Sequence, residues 1–597
     1  MPDADVASRI DTAPIPLTAP SETLSLEEML RLGRQHLEGL VDDRGRTYFD
    51  VFLTSPPEAV FDWPDFVDLP ARYWEAGAMT EDVLGAPVAS MLRLRQWLFS
   101  HFKPDGLAHR PDSPISYPGA ELFDQARLLY ALVSYVMLRP DDEEVRTKLG
   151  RLCDGLKARA TFEGEYAYIE KIGIYFGGTL VRPMLQAGIV LGREDLMDLA
   201  ARLSRGLMLH SELITPAGEF SGHVHAALGA MAGAIACGLA VDDARLVARA
   251  MAGMRYARAF CTEFGFVPEH APRTHTDDVV ACETCSIMDY LDAAILIARH
   301  LDAGWWDVVE KTTRNHLWES QVRDASWLGS EGDNNEPDVV RRDLHAKVRG
   351  SFAGWSAPHC ILANHECYWP GWIRSEEAKP RYYDKVRAIQ NCCGGGGIRA
   401  VYQVWSQMVT RDGEKVSVNL SMDRETPDVR VVSRVPFEGA VRLEVKRGCE
   451  LRYRVPGHAM YSMDLKVTMG GKEMPFSVSG PFLEFGRVEA GRVIEVEFGL
   501  PVREEEIVLG NTGHQMYRFR LTWRGDTVMS MEPEASNPRT AYVGRADKHM
   551  PSYYHAAEPL GAAGRLYRRE AWRRGLRPEP ARLSRREASA DWYQFRV

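Results

Sequence analysis

The sequence predicts a multidomain α+β protein, a helical domain followed by an antiparallel β-sandwich. Three observations predict it. The chain has 597 residues, more than one hydrophobic core usually serves. From about residue 25 to 320, stretches with apolar residues at three- and four-residue steps recur, as in Leu196, Leu199, Leu203 and Leu207. After Trp405 the texture turns to short alternating runs between Gly and Pro turns.

Residues 1–24, rich in Pro, Ala, Ser and Thr, read as a flexible leader, and Ser25-Leu26-Glu27-Glu28 then reads as a helix start with an acidic first turn. Helices are expected over Ala120 to Leu138, Asp142 to Ala158, Glu194 to His210, Val224 to Leu239, Asp242 to Phe260, Ser286 to His300 and Trp305 to Trp318. Acidic starts at Asp141-Asp142, Glu194-Asp195, Asp242-Asp243 and Asp307 recur at roughly fifty-residue steps, one helical hairpin per period. That cadence fits either a closed ring of hairpins or an irregular helical array. Between about 320 and 392 the chain reads as loop-rich, with Gly329, Gly332, Asn334, Asn335, Pro337, Trp355, Trp369 and Trp372; loops of that length are usually functional. Strands are expected at Val416 to Leu420, Val441 to Val445 and Val493 to Phe498. The domains are therefore 25–405 and 406–550, with 551–597 an Arg-rich extension (Arg568, Arg569, Arg573, Arg574, Arg585, Arg586) that is solvated or docks on the helical domain.

A hydrophobic fraction of 45%, a charged fraction of 26% and a net charge of -11 describe an ordinary soluble protein and argue against a nucleic-acid binder. A neutral small substrate fits better, and a homodimer is left open. The N-terminus lacks the basic and apolar parts of a signal peptide, and no stretch is long and apolar enough to span a bilayer, so a cytoplasmic location is expected. Ten cysteines over this length are too sparse for a disulfide framework, and a reducing compartment would keep them as thiols.

The chemistry concentrates in two segments. Cys392 and Cys393 are adjacent, and about a hundred residues upstream stand Glu283 and Cys285. Three thiolates and a carboxylate suit a tetrahedral zinc ion. Within a helix Glu283 and Cys285 would point about 200° apart. The apolar run Ile287, Tyr290, Leu291, Ala294 begins just after them, which places them at or just before a first turn, where helix N–H groups favour a thiolate. Gly394 to Gly397 follow the cysteine pair, suggesting an irregular backbone in which glycine permits positive φ and close approach. The run lacks the Lys-Ser/Thr of a phosphate loop, so nucleotide binding is discounted.

These residues resemble glycoside hydrolase family 127, the zinc- and cysteine-dependent β-L-arabinofuranosidases. Glu283-Thr284-Cys285-Ser286-Ile287 is similar to the family's E-T-C-A-S-I segment, and the adjacent Cys392-Cys393 follows at the family's distance. Trp306-Asp307-Val308-Val309-Glu310 with Asn315, Gly222-His223, and Arg454-Val455-Pro456-Gly457-His458 resemble further, weaker motifs. The resemblance implies an (α/α)6 barrel with Zn2+ held by Glu283, Cys285, Cys392 and Cys393, and a retaining exo-glycosidase acting on a terminal β-L-arabinofuranosyl-like sugar of a small oligosaccharide or glycoside. It puts the nucleophile on Cys392 and the acid/base on Glu269, with Glu263 competing, and has His223 contact sugar hydroxyls. The pattern departs at Gly394 to Gly397, where the family has Pro-Pro-Asn; at Gly178-Thr179-Leu180, where it has Gly-His-Leu; and at His275-Thr276-Asp277-Asp278, where it has Leu-Pro-Asn.

Other residues have plainer readings beside the functional one. His225 is either a sugar contact or a buried histidine, and Trp355, Trp369 and Trp372 are either a stacking platform or loop anchors. Cys153, Cys237, Cys261, Cys360, Cys367 and Cys449 read as packing residues. Two other functions compete: a sugar epimerase or isomerase using His223 or His225, and a non-catalytic sugar-binding protein with a structural zinc.

Overall fold

The computed structural model describes residues 24–61, 67–113, 118–170, 174–271, 281–362, 365–368, 385–510, 516–532, 553–555, 564, 566–567, 569 and 584–595. The structure is mixed α+β. Its helices are α1 (Leu26–Gly39), α2 (Asp68–Leu84), α3 (Met91–Ser100), α4 (Leu122–Leu138), α5 (Glu143–Ala158), α6 (Ile174–Leu191), α7 (Glu194–Arg205), α8 (Val224–Ala240), α9 (Ala244–Phe260), α10 (Thr284–His300), α11 (Trp306–Thr312), α12 (Leu344–Val348) and α13 (Cys392–Gln407). No helix among the described residues is long and apolar enough to cross a membrane.

Six helices close a ring. α2 packs on α4, α4 on α6, α6 on α8, α8 on α10 and α10 on α13, which returns to α2. An outer helix backs each one: α3, α5, α7, α9 and α11 lie on α2, α4, α6, α8 and α10, and α1 lies on α13. The acidic cadence marks the outer helices. Asp142 accepts from the Val145 amide at 3.2 Å and Asp243 from the Arg245 amide at 3.1 Å. Glu194, Asp195 and Asp307 sit in first turns, facing the positive end of the helix dipole.

Inner helices α2, α6 and α13 lie outside the helical stretches expected from sequence. α2 is buried on nearly every side, so it has no polar face to reveal a period, and α6 contains Pro183, a residue that ordinarily stops a helix. Polar side chains inside the ring pair between helices instead of meeting water: Arg182 with Asp292 at 3.1 Å and Arg399 with Glu75 at 3.0 Å.

The segment expected to be loop-rich also forms strands. Val339–Val340, His365–Tyr368 and Lys385–Gln390 join Asp50–Phe52, Glu58–Val60 and Tyr553–His555 in one six-stranded sheet. Strand Lys385–Gln390 passes through Asn391 directly into α13, so this sheet sets where Cys392 stands.

From Val409 the chain is built of strands. A six-stranded and a five-stranded sheet bury alternate residues, among them Val431, Leu443, Leu451, Leu483, Ile494 and Val496, in one core. Lys415–Val418 runs parallel to Cys449–Arg454, a departure from the antiparallel expectation. A third sheet, Val502–Gly510, Met516–Arg524 and Thr527–Glu532, packs elsewhere: Phe519, Leu521, Trp523, Val528 and Met531 belong to the helical core.

The Arg-rich extension docks where it is described. Arg569 is buried against Glu319 at 2.8 Å. Residues 584–595 lie against α10: Asp591 meets Arg299 at 2.7 Å and Tyr593 donates to Asp292 at 2.9 Å. The segments Trp306 to Glu310 and Arg454 to His458 meet each other at the joint between helices and sheets. Buried Arg454 pairs with Asp307 and Glu310, and the Gly457 amide donates to Asp307 at 3.2 Å.

Candidate metal centre and active site

Two helix starts converge to make the site. Glu283 is the residue before α10, in extended conformation (φ -86, ψ 129), and its side chain does not cap the helix. This break from helical geometry lets Glu283 and Cys285 face the same point. The segment is pinned on both sides of Glu283: Cys282 and Ser356 exchange backbone hydrogen bonds at 2.9 and 3.0 Å, and Thr284 Oγ1 donates to Ala353 O at 2.7 Å. Asn391, fully buried, fixes the start of α13. Its amide donates to Phe49 O and its side chain to Tyr48 O, both at 2.8 Å.

Glycines 394–397 lie inside α13 rather than in an irregular loop, and none of them has positive φ. Close approach is what requires them. A Cβ would lie 2.6 Å from His36 Nε2 at position 394, 2.9 Å from Arg72 Cβ at 395, 3.0 Å from Cys285 Sγ at 396 and 2.2 Å from the Phe352 ring at 397. Four neighbours crowd this one turn, and tertiary packing overrides glycine's poor helix propensity.

The quartet is compact. Cys285 Sγ lies 3.6 Å from Cys393 Sγ, Cys392 Sγ 4.0 Å from Cys393 Sγ, and Glu283 Oε1 3.9 Å from both Cys392 Sγ and Cys393 Sγ. Zinc–sulfur bonds of about 2.3 Å in a tetrahedron imply sulfur–sulfur edges of about 3.8 Å, so the donor set fits such an ion. Cys285 is held well below the ordinary thiol value, chiefly because Cys392 and Cys393 donate to it, with Arg72 and His225 adding positive potential against the effect of burial. Cys392 is pushed well above it, first by its bond to Cys285. Cys393 is pushed up as well, first by burial. A divalent ion held there would favour the thiolate form of all three.

Glu269 and His223 complete the site. Their ligand atoms and the Glu283 carboxylate lie within 4.8 Å of one another. The Glu269 backbone is clamped, its N–H donating to Ala281 O at 3.0 Å and its carbonyl accepting from Val224 N at 2.8 Å. His223 Nε2 lies 2.9 Å from Glu283 Oε2. Burial lowers the proton affinity of His223, but the facing Glu283 and Glu269 carboxylates outweigh it and hold the imidazole above its ordinary value. Glu263 is elsewhere: 59% exposed, it pairs with Lys311 and Arg503 at 3.3 Å each.

A glycoside hydrolase family 127 β-L-arabinofuranosidase from Geobacillus stearothermophilus T6 matches with a TM-score of 0.56 and 16% identity, over 86% of this chain and 80% of that one. The fold is shared. A second family 127 β-arabinofuranosidase matches at 0.55 and 13% identity over 84% of this chain and 78% of that one, and a glycoside hydrolase at 0.52 and 12% over 82% and 85%. No family model matches the sequence. No curated protein matches it either.

His225 is 2% exposed, and each ring nitrogen faces a protein group: Nδ1 lies 2.5 Å from Asp289 Oδ2, and Nε2 accepts from Arg127 at 2.6 Å. Trp355 lies under the Arg387 guanidinium at 5.3 Å; Trp369 and Trp372 fall outside the described residues. Cys153 and Cys237, buried away from the quartet, are pushed up to about 12 by burial. Two neighbours of the site escape sequence reasoning. His270 Nδ1 lies 3.7 Å from Glu269 Oε2, a proximity its place next in sequence could have suggested. Arg72 Nη1 lies 3.6 Å from Cys285 Sγ across 213 positions of chain, for which no local signal exists.

Proposed function

We propose that the protein is a divergent family 127 glycosidase: a retaining exo-glycosidase for a terminal β-L-arabinofuranosyl-like sugar, with the helical ring an (α/α)6 barrel spanning 25–405 and the two sheets sharing a core a β-sandwich. The observation that carries this reading is the quartet at two helix starts with Glu269 and His223 beside it. The ion that suits the donor set is zinc, held by Glu283, Cys285, Cys392 and Cys393, and its chemistry there is to keep the Cys392 sulfur deprotonated at neutral pH.

The chain's own groups supply the steps. Cys392, 6% exposed where Cys285 and Cys393 are at 0%, is the thiol nearest the open side. Its sulfur attacks the anomeric carbon as Glu269 protonates the departing oxygen and the carbon–oxygen bond breaks. The sugar is then a thioether on Cys392. Glu269, now a carboxylate, takes a proton from water; the water oxygen attacks the same carbon, and Cys392 leaves with the electron pair of the carbon–sulfur bond. Two inversions give retention. His223 contacts sugar hydroxyls, while His225 supports the ring through Asp289 and Arg127.

The test is turnover of aryl β-L-arabinofuranosides and related pentosides by wild type and Cys392→Ser, with metal analysis on the same samples. Wild type should carry one zinc per chain, and the variant should lose about a thousand-fold or more in kcat. Wild-type turnover by Cys392→Ser would overturn the reading. One observation favours a second function, a sugar-binding protein with a structural metal: four protein ligands leave no open position. Its signature is full metal content with no turnover of any glycoside.

A further inference from the structure

The three quartet sulfurs are not equivalent in what surrounds them. Arg72, 6% exposed, reaches Cys285 Sγ with Nη1 at 3.6 Å while its Nε donates to Asp68 Oδ1 at 2.8 Å, four residues earlier on α2. It is a cationic side chain within hydrogen-bond distance of a quartet sulfur. Cys393 faces Gly354 O, an acceptor, at 3.9 Å. Cys392 has the Glu283 carboxylate and its fellow thiols as neighbours.

The glycine run is shaped around this reach. A Cβ at position 395 would lie 2.9 Å from Arg72 Cβ and 3.1 Å from Arg72 O, so α2 and α13 touch at this level. A Cβ at 396 would lie 3.0 Å from Cys285 Sγ and 3.8 Å from Arg72 Nη1. Gly396 leaves the gap in which guanidinium and sulfur meet. Asp68 holds the other edge of the guanidinium and lies 3.9 Å from Arg127 Nε, so the donor is fixed from behind.

We infer that Arg72 is a positioning residue that acts through Cys285: its N–H···S bond withdraws charge from that sulfur and leaves the adjacent pair, Cys392 and Cys393, more electron-rich than Cys285. A hydrogen bond to a metal-bound sulfur lowers its donation to the metal and its nucleophilicity. A cation placed on one sulfur sets Cys285, as the ligand, apart from the pair that includes Cys392. The inference rests on the reading that the quartet holds a metal.

Cobalt(II) substitution of the full-length protein tests it without recourse to turnover. Wild type should take up one cobalt per chain and show thiolate-to-cobalt charge-transfer bands; absence of both would refute the metal reading itself rather than the role of Arg72. Arg72→Met removes the donor and should move the charge-transfer band to longer wavelength, because Cys285 becomes a stronger donor. Arg72→Lys, with a shorter reach, should fall between. Coincident bands at equal cobalt content would overturn the inference, as would a shift to shorter wavelength. If Arg72→Met takes up no cobalt, Arg72→Lys decides alone, by a shifted band or an unshifted one.

Discussion

Two clusters of ionisable groups differ in how their charge is balanced, the joint around buried Arg454 and the quartet around Glu283. At the joint, Asp307, Glu310 and Asp526 meet Arg454, Arg314 and Lys311. Each anion has a cation, and Arg454 adds a 2.6 Å bond to Asn419 O. Balanced charge of this kind joins two parts of a molecule. The quartet gathers one carboxylate and three thiols around a single point, and its nearest guanidinium, Arg72, is already committed to Asp68. Three thiolates and a carboxylate would be costly to bury without a cation among them. What the contrast teaches is that the second cluster, unlike the joint, presents a donor set that could hold a metal ion.

Substitutions can break the comparison at either end. The largest effect is expected at the site: Glu269→Gln should lower kcat by about 10²–10⁴-fold, the usual worth of a general acid/base, with zinc content and thermal stability unchanged. Loss of zinc on this change would make Glu269 a ligand and the contrast wrong. Next comes the joint, where Arg454→Met leaves Glu310 and Asp307 without their buried partner and should destabilise the fold by about 3–5 kcal/mol in denaturant titrations. Zinc per folded chain should stay at wild-type level, and a drop would show that the two clusters are coupled. Smallest is Glu263→Gln, which removes exposed ion pairs to Lys311 and Arg503 and should cost at most about 1 kcal/mol, with kcat untouched. A large fall in kcat there would move the acid/base role from Glu269 to Glu263.

The quartet was legible in the sequence because its logic is local. Glu283 and Cys285 flank a helix start that the apolar run from Ile287 announces, and Cys392 and Cys393 are adjacent. Acidic capping residues such as Asp142 and Asp243 marked the outer helices for the same reason. The helix beginning at Cys392 was not legible, since four consecutive glycines have the propensity of a loop. They are helical because His36, Arg72, Cys285 and Phe352 stand where side chains would be. Those neighbours come from elements scattered along most of the chain. The same distance in sequence hides the pairing of Arg127 with His225 and of Arg72 with Cys285. The segments Trp306 to Glu310 and Arg454 to His458 were visible as motifs, but their meaning was not: they are the two halves of the joint.

The central claim is that the Cys392 sulfur bonds the sugar carbon. Glu269→Gln, given an aryl β-L-arabinofuranoside with a good leaving group, should form the glycosyl intermediate and release it slowly. Acid quenching, proteolysis and mass spectrometry should then find one pentosyl unit on the peptide that contains Cys392. Turnover of the same glycoside by wild type with no adduct in the variant, or with the adduct on any other residue, would contradict it.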